Sequence, residues 1–147
     1  MRKGTEIGLF FGLTALDQLV KMLTAHRTAV LIPGVIRMNY TENTGFSLGL
    51  FEGAAFIALI LSLAILIALM VILLRLPRPH ALRLPLIVIS AGALGNLIDR
   101  IFLGYVRDMF DLLFIRFYVF NLADMYVTLG ALCCAVMILR SGGKEQP

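Results

Sequence analysis

From Gly53 to Leu74 the chain runs for 22 residues without a charged side chain, and no other feature restricts its fold so strongly. About 20 apolar residues in a helix are enough to cross the ~30 Å hydrocarbon core of a bilayer. Three further stretches have a similar length: about Gly4 to Leu23, Leu84 to Leu103 and Asn121 to Leu139. In lipid every backbone polar group must be satisfied within the protein, and a helix does this within one segment. Composition points the same way. Hydrophobic residues make up 60% of the 147, with a mean hydropathy of +0.93, whereas a soluble domain averages about 45–50%. The expected fold class is an all-α integral membrane protein of one domain spanning 1–147. It has four transmembrane helices and a small extramembrane β element on the outer face.

The first segment follows Arg2 and Lys3 and begins like a signal peptide. Asp17 and Lys21 interrupt its second half and no A-x-A-like cleavage site follows, so it is read as a retained span. Those two residues are four apart, share a helix face and can pair; a structural ion pair and a direct role at a site are both open. Gly8 and Gly12 form a G-x-x-x-G that permits close helix contact. In the connection from Thr24 to Glu52, Val35 to Thr41 alternates, with Ile36, Met38 and Tyr40 on one face. That is a strand pattern, and it leads into the turn-like Glu42-Asn43-Thr44-Gly45, where asparagine and glycine have an ordinary turn role.

Polar residues then appear where a membrane helix should carry leucine. Gly92, Asn96, Asp99 and Arg100 form one stripe at the end of the third span. A loop from Gly104 to Phe120 carries Arg107, Asp108, Asp111 and Arg116, and Asn121, Asp124 and Thr128 share a face at the start of the fourth span. Ionisable groups at membrane depth are expensive and mark functional sites. Adjacent Cys133 and Cys134 have no CxxC or metal spacing and read as small packing residues.

Seven basic residues (Arg2, Lys3, Arg75, Arg78, Arg83, Arg140 and Lys144) fall at the two ends and in the second–third connection. With four spans these places share one side, and the positive-inside rule makes it cytoplasmic. The other side holds Arg27, Arg37, Arg107 and Arg116. The polar end of span one, the Asn43 turn, the Asp99 end of span three, Asp108 and the start of span four then all converge on the outer face. The net charge of +4 is a matter of orientation, not of nucleic-acid binding.

The chemistry of the converging groups is that of carboxylates. His26 and His80 lie on opposite sides in this layout and no HExxH is present, so no metal or other cofactor is expected. Ser47, Ser62, Ser90 and Ser141 lack a nearby histidine base. Asp108 and Asp124 are the leading pair, with Asp99, Asp17 and Glu42 close. Two carboxylates held together share one proton. The ionised one can take a proton from water while the neutral one protonates a substrate carbonyl, which is aspartic-protease chemistry. Paired acids could equally move protons or cations, or could merely pair with Lys21, Arg100 and Arg107. A transport path needs polar groups through the full membrane depth, whereas the second span has Ser62 as its only hydroxyl.

GNLIDR at Gly95 to Arg100, GYVRD at Gly104 to Asp108 and FNLAD at Phe120 to Asp124 resemble, in order and spacing, motifs of the lipoprotein signal peptidase (signal peptidase II) family. LDQLVK at Leu16 to Lys21 and ENTG at Glu42 to Gly45 are similar to two more, so the resemblance covers nearly the whole chain. It implies a membrane aspartic endopeptidase that cleaves prolipoproteins before the diacylglyceryl-modified cysteine, at the outer surface of the bacterial inner membrane. Both termini would be cytoplasmic. Asp108 and Asp124 match the catalytic pair. Asn43, Gly45, Asn96, Arg100 and Asn121 match positions that shape the pocket or contact substrate, and Asp17, Lys21 and Asp99 match supporting positions. Other implied partners are membrane lipid and inhibitory peptide antibiotics of the globomycin type, with the protein acting as a monomer. Phe46-Ser47-Leu48-Gly49 stands where the family commonly has Ala-Ala-Phe-Gly, and Met125 where serine is common. The V-x-D spacing after Gly104 favours Asp108 over Asp111.

Overall fold

A computed structural model describes residues 1–45 and 55–142. The elements in order are α1 (Lys3–Thr24), β1 (Thr28–Ile32), β2 (Ile36–Asn43), α2 (Ala55–Arg75), α3 (Arg83–Leu103), β3 (Val106–Leu112) and α4 (Leu122–Gly142). All four helices are long and apolar enough to span a membrane, and where their ends are described they fall close to the expected ones. The start of the second span and the Phe46–Gly49 stretch lie outside the described residues, as does Lys144.

Polarity is inverted relative to a water-soluble fold. Among the described residues, eight apolar side chains are buried against eleven polar or charged ones, including Asp17, Lys21, Asp99 and Asp108. Large apolar residues point outward: Phe56, Phe102 and Leu139 are 74–78% exposed. Lipid is the solvent that makes such a surface stable, and the interior is where polar groups find partners.

Helix α3 is the hub, packing against α1, α2 and α4. Its glycines set how closely neighbours approach. A Cβ on Gly92 would strike the Ala123 carbonyl of α4, and one on Gly95 would strike the Asp17 carboxylate of α1. The close contact that Gly8 and Gly12 permit is not made among the described residues: a Cβ at either meets nothing within 4 Å. Instead α1 turns its polar face inward, burying Glu6, Thr14, Asp17 and Lys21. Hydrogen bonds and ion pairs repay that burial in an apolar surround, whereas a glycine stripe offers only dispersion.

At the far end of the bundle from these aspartates, Glu6 accepts hydrogen bonds from Arg83 Nε and Nη2 (both 2.8 Å) and from Arg78 Nε (2.9 Å). Arg83 Nη1 donates to the carbonyls of Leu73 and Leu76, each at 2.7 Å. These carbonyls end α2, and a cation at a helix C-terminus is favourable. Two of the seven basic residues read as orientation markers therefore also tie together the ends of α1, α2 and α3.

The small β element is present as a sheet. Three antiparallel strands lie in the order β1-β2-β3, and β3 occupies what reads as a loop in the sequence. Gly104, in the left-handed region at φ 81°, caps α3 and donates its N–H to the Arg100 carbonyl, turning the chain directly into β3. The alternation of β3 is broken because Asp108 and Met109, neighbours in sequence, are both buried. A register shift between Met38 and Thr41 on β2 accompanies this. The register sets Asp108 opposite Thr41 and Asn43 opposite Val106.

Candidate active site

Helix α4 starts with a reciprocal cap. Asn121 Oδ1 accepts the Asp124 N–H at 3.0 Å, and Asp124 Oδ2 accepts the Asn121 N–H at 3.2 Å. This is the capping-box geometry, built from asparagine and aspartate. The next orphan donor, the Ala123 N–H, goes to Asp17 Oδ1 of α1 at 2.9 Å. The cap leaves the Asn121 amide nitrogen free to reach Asp108 Oδ1 at 2.6 Å.

Asp108, 2% exposed, is held from its other side by Asn43 Nδ2, which donates to Oδ2 at 3.0 Å. Asn43 Oδ1 takes the Gly45 N–H at 3.0 Å, and the Gly45 carbonyl takes Arg100 Nη2 at 3.0 Å. Asn43 and Gly45 thus form the turn that their residue types suggest, and that turn presents an amide to Asp108. Asp124 Oδ1 accepts Asn96 Nδ2 at 2.8 Å. Both aspartates line one cavity of about 640 Å³, with Asn43, Asn96 and Arg100 beside them and apolar residues such as Ile65 and Val127 on the remaining wall. Burial, then the negative charge of Asp124, push the Asp108 carboxyl up to about 7.

Behind the cavity is a layer of fully satisfied charges. Lys21, completely buried, lies 3.0 Å from Asp17 Oδ2 and 3.5 Å from Asp99 Oδ2, and donates to Asn96 Oδ1 at 2.8 Å. Asp99 takes Arg107 through its backbone N–H (3.0 Å), Nε (3.2 Å) and Nη2 (2.7 Å). Those bonds to Asp99 hold the Arg107 guanidinium above its usual range. Gln18 joins the layer, accepting from Arg107 Nη2 at 2.9 Å and donating to the Gly95 carbonyl at 2.9 Å. Neither Gln18 nor Arg107 is among the site residues expected from sequence, although both lie inside the quoted motifs. Gln18 stands three before Lys21, one helical turn away, and that spacing was its signal.

Asp111 has a different partner. It pairs with Arg37 across the β2–β3 ladder, where these residues are register partners, and is not among the cavity-lining residues. Asp111→Asn is expected to keep at least about half of the catalytic rate and to cost about 1 kcal/mol or less, as for other partly exposed pairs. Asp108→Asn should lose nearly all activity. Side-by-side rates and melting curves check this, and the reverse ranking would move the candidate pair by one turn of sequence.

Residues 9–140 match the family model described as signal peptidase II. The chain belongs to the signal peptidase II family. It is similar to curated relatives named lipoprotein signal peptidase. One from Clostridioides difficile (strain 630) is 37% identical over 141 residues, covering 91% of this chain and 94% of the relative. Another from Streptococcus agalactiae serotype Ia is 33% identical over 132 residues, covering 86% of each. A solved structure described as a bacterial membrane enzyme, studied by the in meso method at 2.3 Å, superposes with a TM-score of 0.89. It is 26% identical and the match covers 98% of this chain and 93% of that one. As a signal peptidase II the protein is a protease of a bacterial membrane. Met125 lines the cavity.

Proposed function

We propose that this signal peptidase II is an aspartic endopeptidase that removes signal peptides from diacylglyceryl-modified prolipoproteins, cutting before the lipidated cysteine, with Asp108 and Asp124 as the water-activating dyad. One observation carries the reading: two carboxylates open onto the same largely apolar cavity, each oriented by asparagine amides. The unit works as a monomer within the membrane, with both termini cytoplasmic, so that the cavity lies near the outer surface. A diacylated cysteine would keep the scissile bond at headgroup depth beside it. Peptide antibiotics of the globomycin type would occupy the same cavity.

The proton inventory is simple. With its carboxyl pushed up to about 7, Asp108 is assigned the acid, and Asp124 the base. Water gives a proton to Asp124 as its oxygen attacks the scissile carbonyl carbon, and Asp108 gives its proton to the carbonyl oxygen. The neutral gem-diol then collapses: Asp124 returns a proton to the leaving nitrogen, the C–N bond breaks, and Asp108 recovers a proton from the second hydroxyl. Each acid ends as it began, and the site needs no cofactor.

Purified protein in detergent, given a diacylated prolipoprotein, should release the signal peptide and leave the lipidated cysteine as the new N-terminus. The rate should fall as pH rises through about 7, because Asp108 then loses the proton it must donate. Stability shifts with the same sign. A carboxyl raised from 3.8 to about 7 favours the folded state most fully below the lower value, and that contribution is lost as pH passes the upper one. Absence of cleavage, or a cut elsewhere in the substrate, would contradict the assignment.

A further inference from the structure

We infer that Thr128 is a substrate-binding residue, whose hydroxyl donates to a carbonyl oxygen that the lipidated substrate brings into the membrane-side part of the cavity. The inference rests on the reading of that cavity as the substrate site. It starts from a contrast among the hydroxyls of the spanning helices. A serine or threonine inside a helix can give its proton to the carbonyl four residues back. Thr14 does so to Phe10 at 3.0 Å, and Thr24 to Val20, Ser62 to Ala58 and Ser90 to Leu86, each at 2.7 Å. Thr128 stands in the same relation to Asp124 on α4, yet it makes no hydrogen bond among the described residues. It lines the cavity and is exposed.

Its position gives that free donor a use. Being four residues on, Thr128 shares a helix face with Asp124 and lies about 6 Å further along α4. The cavity wall supplied by Ile65 of α2, Ala93 of α3 and Leu129 of α4 is apolar. Ser62, which also lines the cavity, has its hydroxyl proton committed to its own helix. An acceptor buried in such surroundings has little water to turn to, and leaving it unpaired is costly. A lipidated prolipoprotein brings acceptors of this kind from two places. The apolar part of its signal peptide is helical in lipid, and that helix must open before the bond to be cut, leaving its last carbonyls without intrahelical partners. Its diacylglyceryl group carries two ester carbonyls. Neither source has a donor of its own to offer, and one threonine hydroxyl suits either.

Thr128→Val removes the hydroxyl and keeps the shape, whereas Thr128→Ser keeps the hydroxyl. With a diacylated prolipoprotein, Thr128→Val should raise KM by about three- to tenfold, the worth of one neutral hydrogen bond, with kcat changed less than about twofold. Thr128→Ser should stay within about twofold of wild type in both. Melting temperatures should agree among the three, because the hydroxyl has no partner in the described protein to lose. An unchanged KM in Thr128→Val, or a kcat that falls in step with melting temperature, would overturn the inference. Binding supplies a readout free of turnover. In Asp108→Asn protein, a fluorescent diacylated peptide spanning the cleavage site should bind about three- to tenfold more weakly once Thr128→Val is added, and equal binding would overturn the inference. A wild-type protein that binds this peptide without cleaving it would instead overturn the functional reading, and one that does neither would overturn both. A dialkyl ether form of the same peptide identifies the acceptor. If it abolishes the difference made by Thr128→Val, the ester carbonyls are the partner; if the difference persists, the partner is a carbonyl of the signal peptide.

Discussion

Replacing either Asp108 or Asp124 by asparagine is expected to lower the cleavage rate by about 10³-fold or more, and replacing both should be little worse than replacing one. General acid–base groups contribute about 10²–10⁴-fold each, and residues that act as a unit are grossly non-additive. Size hardly changes, so folding should survive. At Asp108 the substitution exchanges one acceptor for a donor that faces an asparagine amide, yet it also removes a buried acid that would otherwise ionise next to Asp124. These effects oppose one another in stability, and neither restores the missing proton. The folded single variants should still bind a lipidated substrate or a peptide antibiotic occupying the cavity. Rates, inhibitor binding and melting temperatures for the two singles and the double decide the matter. A folded single variant cleaving at the wild-type rate would sink the dyad, and activity lost only in step with folding would point to a structural pair.

The second large effect is expected at Lys21. Exchange for methionine keeps the length and removes the charge, leaving Asp17 and Asp99 buried against one another's field. Breaking a buried ion pair by deleting one partner costs about 3–5 kcal/mol. The two carboxylates are not equally stranded. Asp99 keeps three hydrogen bonds from Arg107, whereas Asp17 keeps the Ala123 N–H and a 3.2 Å contact from Gln18. Adding Asp17→Asn to Lys21→Met should therefore recover more stability than adding Asp99→Asn. Equilibrium unfolding in detergent measures the three. Equal recovery by both second changes would mean that Arg107 does not compensate Asp99.

What could be read in the sequence was what depends on short spacings. The Asp17–Lys21 pair follows from i, i+4, the α3 stripe from i, i+4, i+7, and the shared face of Asn121 and Asp124 from i, i+3. The structure turns that last spacing into a reciprocal cap. Strand β3 was hidden because Asp108 and Met109 are buried side by side, which destroys the period of two by which strands are recognised. Strand β1 was hidden for another reason: all five of its residues are exposed, so no burial pattern exists to be read. Gly8 and Gly12 permit a close contact, but spacing cannot say whether a small-residue face meets a helix or lipid. The Glu6–Arg83 pair joins residues far apart in sequence, and no local pattern announces it.

The cap on α4 has a consequence for the order in which the protein comes into being. The first turn of α4 takes one of its backbone partners from Asp17, on the earliest helix to be synthesised, and its neighbour Asp124 takes an amide from α3. Asp108, on β3, receives its own amides from β2 and from the residue that begins α4. A chain still emerging from the ribosome holds these groups in separate hands. If Asp108 and Asp124 are the dyad proposed above, proteolytic competence arrives only when the fourth helix seats against the first and third, and the nascent enzyme threads through the membrane without a working blade.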